Sequence, residues 1–369
     1  MSSKIFETFA ITETESGQTL AAVLKRLSSV ESWGESRRLI LNRHVQVNGN
    51  LCLDPSRRLT EKDTLKIWKS PLPKPVSADS LKLVFVDDEI IVVEKPAGIT
   101  SVRHFEEQRM KKKRRQLQPT LEELMPLALS HFLRKRRLES RLEARGVAKE
   151  EIGQKKRKGP RDLQRQSEAA EALAARLNII AVHRLDRDTS GLMIFARTRR
   201  AATLLGQSFR KHAIDRRYFA VVNGHPKAET FDNFLIRDRG DGHRGSTQIP
   251  NAEGAQRAIT HIRSIEAFGG HSIVECKLET GRTHQIRIHL SEAGYPICGD
   301  LIYWKSWKGS TGNKKEDKSR APRQALHSST LRFVHPTTGD ILKFVMPWPR
   351  DLERWITDLR NSPQSECPE

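Results

Sequence analysis

The sequence predicts an α+β fold: a small α/β module at the N-terminus, then a larger domain on a mostly antiparallel, mixed β-sheet. Three observations lead there. β-branched runs are joined by short turn signals, as in hairpins, while helical periodicity appears only in separate stretches. Pro71, Pro73 and Pro75 crowd five positions, the composition of a stiff, extended linker. The 369 residues, 37% of them apolar, suffice for two or three domains with cores of their own.

In chain order, Leu20, Val23, Leu24 and Leu27 are spaced as on an amphipathic helix, and residues 36–40 begin a second one carrying Arg37 and Arg38. Asn48-Gly49 then stands between the alternating apolar residues of 45–53, the strongest short-range hairpin signal, and 65–68 reads as a closing strand. The first domain is therefore expected over residues 1–70 and the linker over 71–80. Residues 81–86 and 89–94 form a second hairpin across Asp87-Asp88, ending in Lys95-Pro96-Ala97-Gly98. A basic insertion follows at about 103–176, with 21 Lys+Arg against 11 Asp+Glu, half of the excess that gives the chain its net charge of +20. Its runs Lys111–Arg115 and Lys155–Lys158 are low in complexity. A short helix is expected around Leu133, Leu138 and Leu142, and a better one over 163–177. Strand patterns resume at 179–182, 192–196, 218–222, 259–265 and 272–278, with a helix over 199–211. Ile286, Leu290 and Ala293 suit a helix over 281–293 that lays one face on the sheet. Residues 305–323 read as a polar, basic loop, 326–334 and 341–345 as a last hairpin, and the domain as closing at 350, leaving 351–369 as a tail.

Composition narrows the function. A net charge of +20 favours polyanionic partners, nucleic acid before acidic lipid. No apolar run approaches the roughly 18 residues that span a bilayer, and residues 1–17 carry Glu7, Glu13 and Glu15 with no signal-peptide core, so no membrane partner is expected. Cys52, Cys276, Cys298 and Cys367 lie far apart, which offers neither a zinc ribbon nor a disulfide framework and fits a reducing cytoplasm. His284 and His289 are five apart, whereas zinc-binding helices space histidines by four, so no metal is expected.

The segment most loaded with chemistry is His183-Arg184-Leu185-Asp186-Arg187-Asp188-Thr189-Ser190-Gly191-Leu192, between two apolar strands. Read alone, it is as much a self-capped turn with ordinary ion pairs as a functional loop. As a pattern, His-Arg-Leu-Asp-x-x-Thr-Ser-Gly-Leu resembles the signature of the RluA-type pseudouridine synthases. Further segments match in order: Lys95–Gly98, Arg217-Tyr218-Phe219-Ala220-Val221-Val222-Asn223-Gly224, Gly281-Arg282-Thr283-His284-Gln285-Ile286-Arg287-Ile288-His289-Leu290, Pro296-Ile297-Cys298-Gly299-Asp300, and a closing stretch from Ala325 to Pro336. Together they cover 81–350 apart from the insertion. The resemblance implies a pseudouridine synthase catalytic domain over 81–350, Asp186 as catalytic aspartate, Tyr218 as the aromatic that stacks on the target base, Arg287 as the partner of the aspartate, and Arg184 as the side chain that fills the place of the extruded nucleotide. Lys95, Arg282 and His284, with Arg37 and Arg38 of the first domain, are further candidates for RNA contact. The implied reaction needs no redox, metal or other cofactor.

Residues 16–68 resemble an S4 RNA-binding domain, with two short helices and then a strand and hairpin containing Val45-x-Val47-Asn48-Gly49. Arg43 stands where that pattern has a glycine, Lys62-Asp63 where it has Gly-Asp, and Trp304 follows Tyr303 where the synthases commonly have glycine. A left-handed turn costs arginine more than glycine. The expectation is an RNA pseudouridine synthase acting as a monomer on structured RNA, ribosomal before transfer RNA by analogy alone. The alternative is a catalytically silent RNA-binding or ribosome-assembly factor on the same scaffold.

Overall fold

A computed structural model describes residues 6–26, 32–61, 63–72, 74–103, 118–143, 168–238, 244–250, 252–306 and 317–361. The basic runs Lys111–Arg115 and Lys155–Lys158, and Lys62, lie outside the described residues. The chain divides into two units, one of residues 1–76 with 103–120 and one of 77–102 with 121–369. Of the front of the expected insertion, the described residues Arg103 and 118–120 group with the first unit, which no local sequence signal announces.

In the first unit, strands β1 (Phe6–Ala10), β2 (Val45–Val47), β3 (Asn50–Leu51) and β4 (Thr64–Trp68) form an antiparallel sheet in the order β1-β4-β2-β3. Helices α1 (Leu20–Arg26) and α2 (Trp33–Leu41) supply Leu20, Val23, Leu24 and Ile40 to a core shared with Val45, Val47, Leu59 and Leu65. Ser32 caps α2 by accepting the Glu35 N–H at 3.1 Å. Strand β1 has no counterpart in the sequence reading, because its thin apolar pattern becomes a strand only by pairing with β4, Phe6 opposite Trp68. The hairpin turn uses Asn48 and Gly49 at φ of 52° and 75°, and the Asn48 amide donates to Asp63 at 2.6 Å while accepting the Thr64 N–H at 2.8 Å. Arg43 does adopt the left-handed conformation, φ 68°. Its strain is offset where the Leu72 carbonyl accepts from Arg43 Nε at 2.8 Å and the Leu72 N–H donates to the Arg43 carbonyl at 2.8 Å.

The second unit is built on one large sheet. Strands β5 (Lys82–Val86) and β6 (Ile90–Lys95) precede helix α3 (Leu121–Glu143); β7 (Ile180–Ala181), β8 (Ser190–Ala196), helix α4 (Arg199–Arg210), β9 (Asp215–Asn223), β10 (Glu229–Ile236), β11 (Gly245–Thr247), β12 (Gln256–Phe268) and β13 (His271–Leu278) follow. Helix α5 (Gln285–Glu292), a single turn Tyr303–Ser306, β14 (Leu326–Val334), β15 (Ile341–Val345) and helix α6 (Arg350–Asn361) complete it. The order is β11-β10-β12-β13-β9-β14-β8-β6-β5, with β15 beside β14 and β7 beside β8. Only β14 with β8 is parallel among the described pairings, so the sheet is mixed and mostly antiparallel. β8 is buried along its whole length, as suits a central strand covered on both faces.

Three expectations are corrected. The short helix of the insertion is a 23-residue helix starting at Leu121; Pro126 reads as a stop, yet Leu121, Met125 and Leu129 bury one face at a spacing of four. The helix expected over 281–293 begins at Gln285, because His284 takes a left-handed φ of 61° that no α-helix admits. The tail from 351 opens with α6, which buries Leu352, Trp355 and Ile356, and Trp355 Nε1 donates to the Ser319 carbonyl at 2.8 Å.

The parallel pairing places Gly191 of β8 opposite Ser328 of β14. Gly191 has φ 119°, and a Cβ there would lie 2.6 Å from the Ser328 backbone nitrogen. Gly191→Ala should therefore cost about 3 kcal/mol or more, measured by urea unfolding. A loss below about 1 kcal/mol would show that the two strands part easily.

Candidate active site

The loop between β7 and β8 is held from below by buried donors. Lys95, at the end of β6, is 0% exposed, and its Nζ donates to the carbonyls of Pro96 at 3.1 Å, Arg187 at 2.9 Å and Thr189 at 2.8 Å. Burial pulls its pKa down to about 7 against the opposing pull of Asp188 and Asp186. This corrects the expectation of an RNA contact: a fully buried ammonium that spends its donors on three carbonyls is a clamp on the loop. Ser101 adds a second tie, its Oγ donating to the Leu185 carbonyl at 2.7 Å and accepting the Leu185 N–H at 3.1 Å. His183 packs its ring on Phe209, 4.7 Å between centroids, and its Nε2 accepts the Ile194 N–H at 2.9 Å. Burial, and then Arg216, push its pKa down to about 3, so it is a neutral acceptor and part of the scaffold.

With the loop so fixed, Asp186 lines a cavity of about 430 Å³ together with Arg184, Tyr218, Arg216, Arg282, His284 and Arg287. Tyr218 and Arg216 are two apart on β9 and so share a face of the sheet. Tyr218 is buried beside Ser328, and burial raises its phenol pKa, with Arg216 opposing and Asp186 adding to the shift. Arg216 is buried too, and its Nη2 donates to the carbonyls of Glu279 at 3.0 Å and Thr280 at 3.2 Å. Gly281 leaves room for it, since a Cβ would stand 2.7 Å from Arg216 Nη1.

Arg287 enters from the first turn of α5. Its Nη1 donates to Asp186 Oδ2 at 3.3 Å, while Nε and Nη2 grip Asp300 at 2.6 and 3.0 Å. Asp186 is 17% exposed and Asp300 1%. Burial works against both charges of the inner pair. For Arg287 the hydrogen bonds and charge of Asp300, and then the charge of Asp186, outweigh it and raise the pKa; for Asp300 the arginine outweighs it and holds the carboxyl below its usual value. Tyr303 stacks on the arginine, 5.0 Å from Cζ to the ring centroid, and its Oη meets His284 Nδ1 at 2.9 Å. His284 Nε2 stands 3.8 Å from Asp186 Oδ2, and burial pulls the ring down to about 4 against Asp186, leaving it neutral at pH 7.

The fold thus gathers Asp186, Arg287, Tyr218, His284, Arg184 and Arg282 around one cavity. Arg184 and Arg282 are exposed at it, and Arg282 Nε donates to the Arg257 carbonyl at 3.0 Å. Arg37 and Arg38 project from α2 in the first unit, exposed, with Arg38 3.8 Å from Glu35. The sequence reading missed Asp300, Tyr303 and Arg216. Asp300 was in view within a matched segment, but nothing local says that a carboxylate after a glycine will meet an arginine thirteen positions before it. Among the described residues no group of three or more His, Cys, Asp or Glu side chains is placed to hold a metal ion, and His289 is engaged by Thr260 and Asn233. No helix among the described residues is long and apolar enough to cross a membrane.

Comparison with known proteins adds to this geometry. A family model described as RNA pseudouridylate synthase matches residues 150–292, and one described as S4 domain matches residues 18–65. Ribosomal large subunit pseudouridine synthase D of Zymomonas mobilis is 38% identical over 172 residues, 47% of this chain and 53% of that protein. The protein of the same name from Xanthomonas campestris is 40% identical over 183 residues, 48% and 54% of the two chains. The chain therefore spans about half the length of the relatives it matches. Among solved structures, human RNA pseudouridylate synthase domain containing 4 superposes with a TM-score of 0.51 at 19% identity, covering 75% of this chain and 92% of that one; at that identity the likeness concerns the fold alone.

Proposed function

The chain belongs to the RNA pseudouridylate synthase family and carries an S4 domain ahead of its synthase domain, and from that premise we propose that it isomerises uridines in structured RNA, ribosomal before transfer RNA, to pseudouridine. The observation that carries this reading is Asp186 in a cavity it shares with Tyr218, with a single N–H of Arg287 on one carboxylate oxygen.

The reaction breaks the N1–C1′ bond of uridine, turns the base and joins C5 to C1′; C5 then loses its proton and N1 gains one, so nothing is oxidised or reduced. It needs an ionised oxygen within reach of sugar and base. In this reading Asp186 supplies that oxygen, either by attacking carbon or by taking a sugar proton. Tyr218 stacks on the flipped base, and Arg184, exposed at the cavity, occupies the vacated place in the stack and offsets part of the cost of unstacking. Arg282, with Arg37 and Arg38 of the S4 domain, present exposed guanidinium groups suited to phosphate, which adds affinity that weakens with salt. Cys52, Cys276 and Cys298 are buried and unpaired, in keeping with a reducing cytoplasm, where the protein is proposed to act as a monomer.

Pseudouridine mapping in RNA from cells with and without this protein tests the proposal: at least one site should disappear with the protein, and an unchanged map would overturn it. A second experiment tests the role of the aromatic. Tyr218→Phe should keep most of the turnover, whereas Tyr218→Leu should lose about 10- to 100-fold, the worth of one base stack. Equal losses in the two variants would place the importance of Tyr218 in its hydroxyl.

A further inference from the structure

Asp186 has one oxygen, Oδ2, under the Arg287 N–H and a distant His284, and Oδ1 with no hydrogen bond among the described residues. An arginine facing a carboxylate ordinarily closes on it with two parallel hydrogen bonds, which would occupy both oxygens. Arg287 is kept from doing so because its Nε and Nη2 already form such a fork, at 2.6 and 3.0 Å, with the buried Asp300. We propose that Asp300 is a positioning residue for the isomerisation: its fork holds Arg287 to a single contact with Asp186 and leaves the second oxygen of that carboxylate to the substrate.

Asp300 is itself anchored. Its Oδ1 accepts the N–H groups of Ile302 and Tyr303 at 2.9 and 3.0 Å, and its own N–H donates to the Ile297 carbonyl at 3.1 Å. Gly299, at φ 76°, lies against the Arg323 and Gln324 backbone where no side chain fits. The carboxylate is thus fixed by its own turn, so it dictates the arginine's position rather than following it. The charges agree. Asp300 neutralises the guanidinium, so the group of three keeps one net negative charge, and that charge is on Asp186, the more exposed of the two carboxylates. Tyr303 and His284 close the circuit back to Asp186, and a single rigid turn, Asp300 to Tyr303, thereby supports both neighbours of the reactive group.

The inference rests on the proposed isomerisation, and its test includes a readout that does not. Asp300→Asn removes the charge and one arm of the fork. Asp300→Ser removes the whole fork while its hydroxyl can still cap the turn at residues 302 and 303, which separates positioning from folding. Both variants should lower kcat by about 10- to 100-fold, the cost of a small misplacement at a reacting centre, with KM for RNA close to wild type. The acidic limb of the kcat profile should move to lower pH, because the arginine's whole charge then falls on one carboxylate. A crystal structure of Asp300→Ser should show Arg287 closed on both oxygens of Asp186. An unchanged single contact in that structure overturns the proposal whatever the activity, as does a kcat and pH profile equal to wild type with only thermal stability reduced. A wild-type protein inactive on every RNA would count against the isomerisation reading instead, and the structure of the variant would still decide the role of Asp300.

Discussion

Asp186→Asn should abolish pseudouridine formation, by about three orders of magnitude or more, while folding and RNA affinity stay close to wild type. The amide keeps the shape of the carboxylate and can still accept the Arg287 N–H that now reaches Oδ2 at 3.3 Å, but it has no ionised oxygen to attack carbon or to take a proton. Stability should hardly change, because removing this charge orphans nothing: Arg287 stays forked to Asp300, and Asp186 is partly exposed. Asp188→Asn is the control. Asp188 is exposed two positions further along the same loop, so its variant should stay near wild-type activity. Pseudouridine yield from single-turnover reactions of the purified variants, with melting curves and RNA titrations alongside, separates the outcomes. An active Asp186→Asn protein would sink the mechanism.

Arg287→Met should have the second largest effect, and on stability the largest of all. It strips activity by removing the partner of Asp186, and it leaves Asp300, 1% exposed, as a buried carboxylate without its counter-charge, which costs about 3–5 kcal/mol. The pH dependence follows from the same pair. In the wild type the Asp300 carboxyl is held below its usual value, so its contribution to stability is present above the unfolded carboxylate range and is lost as pH falls through the folded value. In the variant burial, the largest influence on this carboxyl, is still opposed by the Tyr303 and Ile302 N–H groups but no longer by the arginine, so the carboxyl should rise and stability should be lost as pH rises through that raised value. The gap between the two proteins should therefore be widest near pH 7 and shrink towards about pH 4, where unfolded aspartates protonate. Urea melts at several pH values measure it, and a gap that does not vary with pH would mean that Asp300 finds another partner.

Features decided by near neighbours were legible in the chain. The Asn48-Gly49 turn, the hairpin across Asp87-Asp88, the last hairpin and the apolar strand 192–196 all follow from side-chain period and turn chemistry within a few residues. The loop 183–192 could likewise be singled out, since a dense polar segment between two apolar strands must place its hydrogen bonds somewhere, and the likeness of this loop and of the segments 217–224 and 281–290 to one known family attached roles to Asp186, Tyr218 and Arg287. Strands β10 and β11 escaped notice for the complementary reason. Glu229–Ile236 is half exposed without clean alternation, and Gly245–Thr247 is three residues long, so each is a strand only through the neighbour it pairs with.

By itself, then, the sequence determined the class of fold and the S4-like and synthase-like segments, and it singled out the loop 183–192 as the candidate for the chemistry. Tertiary structure alone decided what each charge does. Lys95 looks like an RNA-facing cation until β6 carries it under the loop, where three carbonyls take up its donors. Arg287 and Asp186 are 101 positions apart, and Asp300 reaches the same guanidinium from a turn beyond α5. No periodicity encodes such a meeting. It exists because the central strands bring distant loops to one end of the sheet, where desolvation makes every buried charge costly unless another chain segment supplies its partner.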